Sequence, residues 1–196
     1  MKIPEETQRI KNRVLMLDLF PKAGVIAELG VFRGVFSERI LERCNPKKLY
    51  LVDLWSDPTD WILNGELHHI TGPQAYEFVR RLELDKRVAL VRSYTTQFLT
   101  TLADKFLDVA YLDACHTYES VRDELALVFP RMKSGGWIAG HDYCELFPGV
   151  IQAVTEFITL RKLKLNVLTD EVPSAVINCP GGPASMAYNS FAIKVP

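Results

Sequence analysis

Four places along the chain hold residues able to do chemistry. Two of them carry the same kinds of donor: Asp113 and His116 in Leu112-Asp113-Ala114-Cys115-His116-Thr117-Tyr118-Glu119, and His141 and Asp142 in Gly140-His141-Asp142-Tyr143. Carboxylate oxygen beside imidazole nitrogen suits a divalent cation, Mg²⁺ or Mn²⁺, with histidine favouring Mn²⁺ or another transition ion. Taken singly, each of these residues reads equally well as a helix cap or a supporting hydrogen-bond partner. The third place is Glu28-Leu29-Gly30-Val31-Phe32-Arg33-Gly34, where glycines let the backbone approach a ligand and a following helix offers free N–H groups to a carboxylate or phosphate. Its spacing is G-x-x-x-G and departs from the G-x-G-x-x-G of dinucleotide sites, so a plain tight turn is the alternative. The fourth is Asp53, 23 residues beyond Gly30, at the distance where an acidic side chain can accept from both ribose hydroxyls of an adenosine. A solvated helix cap is the other reading there.

These residues are expected to share one end of a sheet, because each follows a short apolar run. Val25 to Leu29, Leu49 to Val52, Val88 to Val91, Val109 to Leu112 and Trp137 to Ala139 read as strands. Helical patterns separate them: one bearing Phe36, Ile40 and Leu41, then Ala75 to Leu82, Thr95 to Ala103, one marked by Val121, Leu125 and Val128, and Val150 to Leu160. Strands that alternate with helices predict an α/β fold with a Rossmann-like, mostly parallel sheet and helices on both faces. In such sheets ligands bind beyond the carboxyl ends of the strands. Ile10, Val14 and Leu17, between Pro4 and Pro21, predict an N-terminal helix over residues 4–19, within an N-terminal segment 1–23. Leu165 to Leu168 and Phe191 to Val195 are expected to close the sheet as an antiparallel hairpin, with turn chemistry at Pro180-Gly181-Gly182-Pro183.

At 196 residues, 48% hydrophobic and 24% charged, the chain has the size and composition of one globular domain spanning 1–196. Its formal net charge of -1 gives no field to attract phosphate backbones or anionic membranes, so neither nucleic acid nor a membrane is an expected partner. Cys44, Cys115, Cys144 and Cys179 are scattered without a C-x-x-C pair, which points to free thiols and a cytoplasmic setting. The charged stretch from Met1 to Arg13 lacks the apolar core of a signal peptide.

From about residue 24 onward, Ala27-Glu28-Leu29-Gly30-Val31-Phe32-Arg33-Gly34, Val52-Asp53, Leu112-Asp113-Ala114-Cys115-His116-Thr117-Tyr118 and Gly135-Gly136 before His141-Asp142-Tyr143 resemble the class I S-adenosylmethionine-dependent methyltransferases, in particular the metal-dependent macrolide and aminocoumarin sugar O-methyltransferases. The resemblance implies that Glu28, Gly30 and Gly34 shape the pocket for the cofactor's amino-acid part, that Asp53 holds its ribose, and that adenine is contacted near Ser93-Tyr94. It also implies a metal held by Asp113 and by a pair at 141–142. Relatives carry Asp-Asp at that pair, whereas this chain has His141-Asp142. His116 takes the place of the base that deprotonates the acceptor, for which a near-neutral pKa is apt.

The activity so implied is methylation of a small hydroxylated acceptor, a sugar or a phenolic ring, assisted by a divalent metal. An NAD-dependent oxidoreductase on the same sheet, or a binding protein that keeps the fold without catalysis, are the rival readings. Residues 54–73, with Trp55, Trp61, His68 and His69, exceed the usual strand-to-helix connection. They read as a lid over the acceptor, as packed surface, or as the interface of a homodimer.

Overall fold

The computed structural model describes residues 6–56, 59–63, 66–171, 175–179, 182–186 and 188–196. The chain begins with a short strand, β1 (Gln8–Ile10), and a single helical turn, α1 (Arg13–Met16), capped by the Asn12 side chain on the Leu15 N–H. The alternating section then runs β2 (Val25–Leu29), α2 (Val35–Cys44) and β3 (Lys48–Asp53). A two-stranded antiparallel ribbon follows, β4 (Thr59–Leu63) with β5 (Glu66–Ile70), before α3 (Gly72–Arg80), which opens on a capping box made by Thr71 and Gln74. Next come β6 (Val88–Arg92), α4 (Thr95–Thr101), β7 (Leu107–Leu112), α5 (Tyr118–Val128), β8 (Met132–Gly140) and α6 (Pro148–Arg161). The last part holds β9 (Val167–Thr169), a second ribbon of β10 (Ala175–Cys179) and β11 (Gly182–Met186), and β12 (Phe191–Lys194).

Eight strands form one sheet in the order β1-β9-β12-β8-β7-β2-β3-β6. The five from β8 to β6 are parallel, β12 runs antiparallel to both β8 and β9, and β1 lies parallel to β9 at the edge. The expected Rossmann-like fold is the one observed. Burial on both faces explains why β2 and β7 are nearly continuous apolar runs. Leu99, Leu125 and Val154 pack one face under α4, α5 and α6. Met16, Phe36 and Val79 cover the other from α1, α2 and α3.

Chain order reverses between β2 and β7: β3 and β6 lie to one side, β7 and β8 to the other. That reversal opens a crevice at the carboxyl ends of β2 and β7, where ligands of such sheets bind.

Two expectations need correction. The helix expected over 4–19 is a strand followed by a turn of helix, because Gln8–Ile10 find the open edge of β9 in register with Val167–Thr169. Long-range pairing therefore overrides the local spacing of Ile10, Val14 and Leu17. The closing pair of β9 and β12 forms as expected, but the turn chemistry at 180–183 joins β10 to β11 instead, and positions 180 and 181 lie outside the described residues. The lid expectation covers 54–73, of which 57, 58, 64 and 65 lie outside the described residues, as do the side chains of 57–70, with Trp61, His68 and His69 among them. Among the described residues no helix is long and apolar enough to cross a membrane, and Cys44, Cys115 and Cys144 are free thiols.

Candidate functional site

The loop leaving β2 turns in the left-handed region, with φ +91° at Gly30 and +74° at Gly34. A Cβ at Gly30 would lie 2.1 Å from the Asp113 carbonyl oxygen. Only glycine therefore lets the ends of β2 and β7 meet this closely. Gly34 opens α2, and a Cβ there would press on Leu82 and Val79 at 3.1 and 3.3 Å.

Asp53, at the end of β3, fastens this loop. Its Oδ2 accepts the N–H groups of Val31 and Phe32, both at 2.9 Å, and its Oδ1 accepts the Trp55 N–H at 3.0 Å. A carboxylate has about four lone-pair positions, so three backbone donors leave room for one more. The expectation that Asp53 accepts from both ribose hydroxyls thus meets a carboxylate already committed to shaping the pocket. Trp55 itself is buried, donating its indole N–H to the Phe32 carbonyl at 2.9 Å and tilting against Tyr76. It braces the loop through that Phe32 carbonyl. Ser93, after β6, donates its N–H to the Asp53 carbonyl at 3.1 Å and its hydroxyl to the Tyr94 carbonyl. The structure thus brings Gly30, Gly34, Asp53 and Ser93 together along adjacent strand ends.

Glu28 is placed beneath the loop rather than in it. It is 1% exposed and accepts the Ser37 hydroxyl at 2.5 Å. Burial pushes its carboxyl up to about 8, against the opposing pull of the Ser37 hydrogen bond.

On the other side of the crevice, Asp113, His116, His141 and Asp142 converge. His141 Nδ1 lies 3.2 Å from Asp142 Oδ2 and 3.7 Å from Asp113 Oδ1. His116 Nε2 lies 2.9 Å from Asp142 Oδ2 and 3.9 Å from Asp113 Oδ1, in a geometry that leaves this buried nitrogen without a hydrogen bond. Phe147 packs on the His116 ring and Tyr188 stacks over His141. Asp142 adopts φ +57°, a costly conformation for a residue with a side chain, directly after β8. Burial would raise its carboxyl, but His116 and His141 hold it well below the usual range. His116 is pushed up to about 10, since Asp113 and Asp142 outweigh the effect of burial. The near-neutral value expected for this imidazole does not arise while both carboxylates face it. Asp113, His141 and Asp142 each offer one ligand atom, all within 4.8 Å of one another. Two carboxylates and an imidazole converging this tightly, beside a buried imidazole nitrogen without a hydrogen bond, fit a divalent cation.

Two groups that sequence reasoning missed also face this end of the sheet. Arg13, at the start of α1, reaches Asp113 Oδ2 at 3.2 Å. Glu124, on α5, is 2% exposed, accepts the Thr95 hydroxyl, and is pushed up to about 7 by burial. Glu124 occupies a helix position two turns past His116, and a buried acid on an apolar helix face is the signal that could have found it. Arg13 lay within the segment read as an N-terminal helix, so no pattern marked it.

A family model described as a methyltransferase domain matches residues 27–143, more than half of the chain. No curated protein matches in sequence. Among solved structures, the precorrin-6y C5,15-methyltransferase of Geobacter metallireducens GS-15 superposes with a TM-score of 0.63 at 14% identity, covering 93% of this chain and 85% of that one. The N-methyltransferase NodS of Bradyrhizobium japonicum WM9 gives 0.59 at 17% identity, with coverages of 94% and 93%. TYW2 of M. jannaschii, in complex with AdoMet, gives 0.54 at 14% identity, with coverages of 92% and 72%. These likenesses establish the fold, and the family match decides between hydride and methyl transfer on such a sheet. The chain belongs to the methyltransferase domain family and is an S-adenosylmethionine-dependent methyltransferase.

Proposed function

We propose that the chain methylates a hydroxyl oxygen of a small acceptor, a sugar or a phenolic ring, with a divalent cation, Mg²⁺ or Mn²⁺, held by Asp113, His141 and Asp142. The observation that carries this reading is the convergence of those three ligand atoms within 4.8 Å at the end of the sheet where the switch point lies. When bound, such a cation supplies a Lewis acid that makes a neighbouring hydroxyl easier to deprotonate. S-adenosylmethionine, when bound, would supply an activated methyl on sulfonium sulfur, transferred to the acceptor oxygen with S-adenosylhomocysteine as the leaving product.

The protein's own groups do the positioning. Gly30 and Gly34 give the β2 loop the turn over which the donor's amino-acid half would lie, with Glu28 supporting that loop from below, and Asp53 has one remaining lone pair to offer the ribose. Ser93 sits where the adenine would follow. Facing Asp113 and Asp142 alone, His116 is held as imidazolium; with those carboxylates engaged by the cation, it would give up that proton and be free to take the acceptor's at Nε2. A formal net charge of -1 supports a small acceptor over nucleic acid.

The test is transfer of labelled methyl from S-adenosylmethionine to a panel of hydroxylated acceptors, with and without chelation. Methylation should need the added cation, and His116→Ala should lower the rate on the order of 10²-fold or more. Undiminished transfer after exhaustive chelation would remove the metal from the reading. Transfer to amines or to RNA in place of hydroxyls would replace the acceptor class.

A further inference from the structure

Arg13 comes from outside the alternating sheet, yet its guanidinium sits at the carboxyl end of β7. Its backbone is braced on both sides. The Arg13 N–H donates to Glu171 at 2.5 Å, Asn12 caps the turn, and β1 just before it is paired to β9. The side chain lies 4.5 Å over the ring of Phe36 on α2, which fixes the plane of the guanidinium. Of its five N–H donors, one bonds Asp113 Oδ2 at 3.2 Å and another engages the buried Tyr111 hydroxyl, which leaves the remainder of the fork available. That distance is long for a charge-assisted bond, which is ordinarily about 2.7–2.9 Å. Its side chain keeps 31% of its surface exposed. A partly exposed, oriented fork with unused donors at a ligand-binding crevice is suited to recognise a second carboxylate.

The course of the donor across the sheet places that carboxylate. Asp53 marks the ribose at the end of β3, and Gly30 marks the passage over β2, the next strand. A nucleoside extended onward in the same direction reaches the end of β7, which pairs with β2 on its other side. There the Gly30 loop touches the Asp113 backbone, and Arg13 stands beside Asp113. We propose that Arg13 binds the α-carboxylate of the methyl donor's amino-acid half, so that the N-terminal turn supplies the charged end of the donor pocket. This inference rests on the donor lying over Gly30 and Asp53.

The experiment compares two ligands by calorimetry: S-adenosylhomocysteine, which carries the α-carboxylate, and 5′-methylthioadenosine, which keeps the nucleoside and thioether without it. Arg13→Met should weaken S-adenosylhomocysteine by about 10- to 100-fold and leave 5′-methylthioadenosine unchanged. Arg13→Lys should fall between, since a point charge replaces the fork. If neither ligand loses affinity in Arg13→Met, or if both lose it equally, Arg13 is not the carboxylate anchor. If the unaltered protein binds neither ligand, the donor site itself is misplaced and this inference falls with it.

Discussion

Glu28 brings a titratable group into the middle of a parallel sheet, where burial holds its carboxyl at about 8. An unfolded glutamate titrates near 4.5. Between those values the folded chain keeps a proton that the unfolded chain has released, so stability falls as pH rises through the window and levels off above it. The slope from this one group approaches roughly 1.4 kcal/mol per pH unit. Glu28→Gln keeps the shape and removes the titration. The stability gap between the two proteins, followed by denaturant unfolding from pH 5 to 8, should therefore move in favour of the glutamine form as pH rises. A gap that stays constant would mean Glu28 is ionised in the fold. At this scale the sequence was informative where a residue follows a strand: Asp53, Asp113, His116, His141 and Asp142 all reach the crevice side of the sheet. It was silent on what each side chain faces. That Asp53 clasps three backbone N–H groups, or that Asp142 sits at φ +57°, depends on neighbours brought in by other strands.

The loop between β2 and α2 behaves as one element because its geometry is shared out among three contributors: Gly30 for the close approach, Asp53 for the N–H groups of Val31 and Phe32, and Trp55 for the Phe32 carbonyl. Asp53→Ala removes a charged acceptor from three donors at once. It should cost about 2–4 kcal/mol of folding stability, as well as about 30-fold or more in S-adenosylhomocysteine affinity. Thermal unfolding and calorimetry on the same variant read the two effects. Weaker binding at full stability would confine Asp53 to the ribose. The alternating elements from β2 to α6 were legible because each carries its own apolar run or helical face. Strand β1 was not, since its three residues are largely exposed and polar. Its structure is decided by an edge contributed from the opposite end of the chain, as in the bond from the Thr7 hydroxyl to the Leu165 carbonyl.

Across the whole molecule, the sheet is built from the parallel set outward and finished by β12, β9 and β1. Removing residues 1–11 should leave the parallel core folded, because none of its pairings involves β1. It should nevertheless lower Tm by a few degrees through loss of the edge pairing and of the Arg9–Asp170 contact at 2.8 Å. Circular dichroism would report the retained fold and the melting shift, and a wholly unfolded product would show β1 to be integral to the core. The same arrangement bears on how the protein is made. Arg13 is synthesised early, but the partners that brace it, β9 and Glu171, emerge only near the other end of the chain. A nascent chain long enough to contain the whole family-matched stretch, 27–143, would hold the glycine loop and the acidic cluster while its first residues still had no strand to join. During synthesis, a strand made late is what fixes a turn made early, and the crevice is complete only after β9 has emerged.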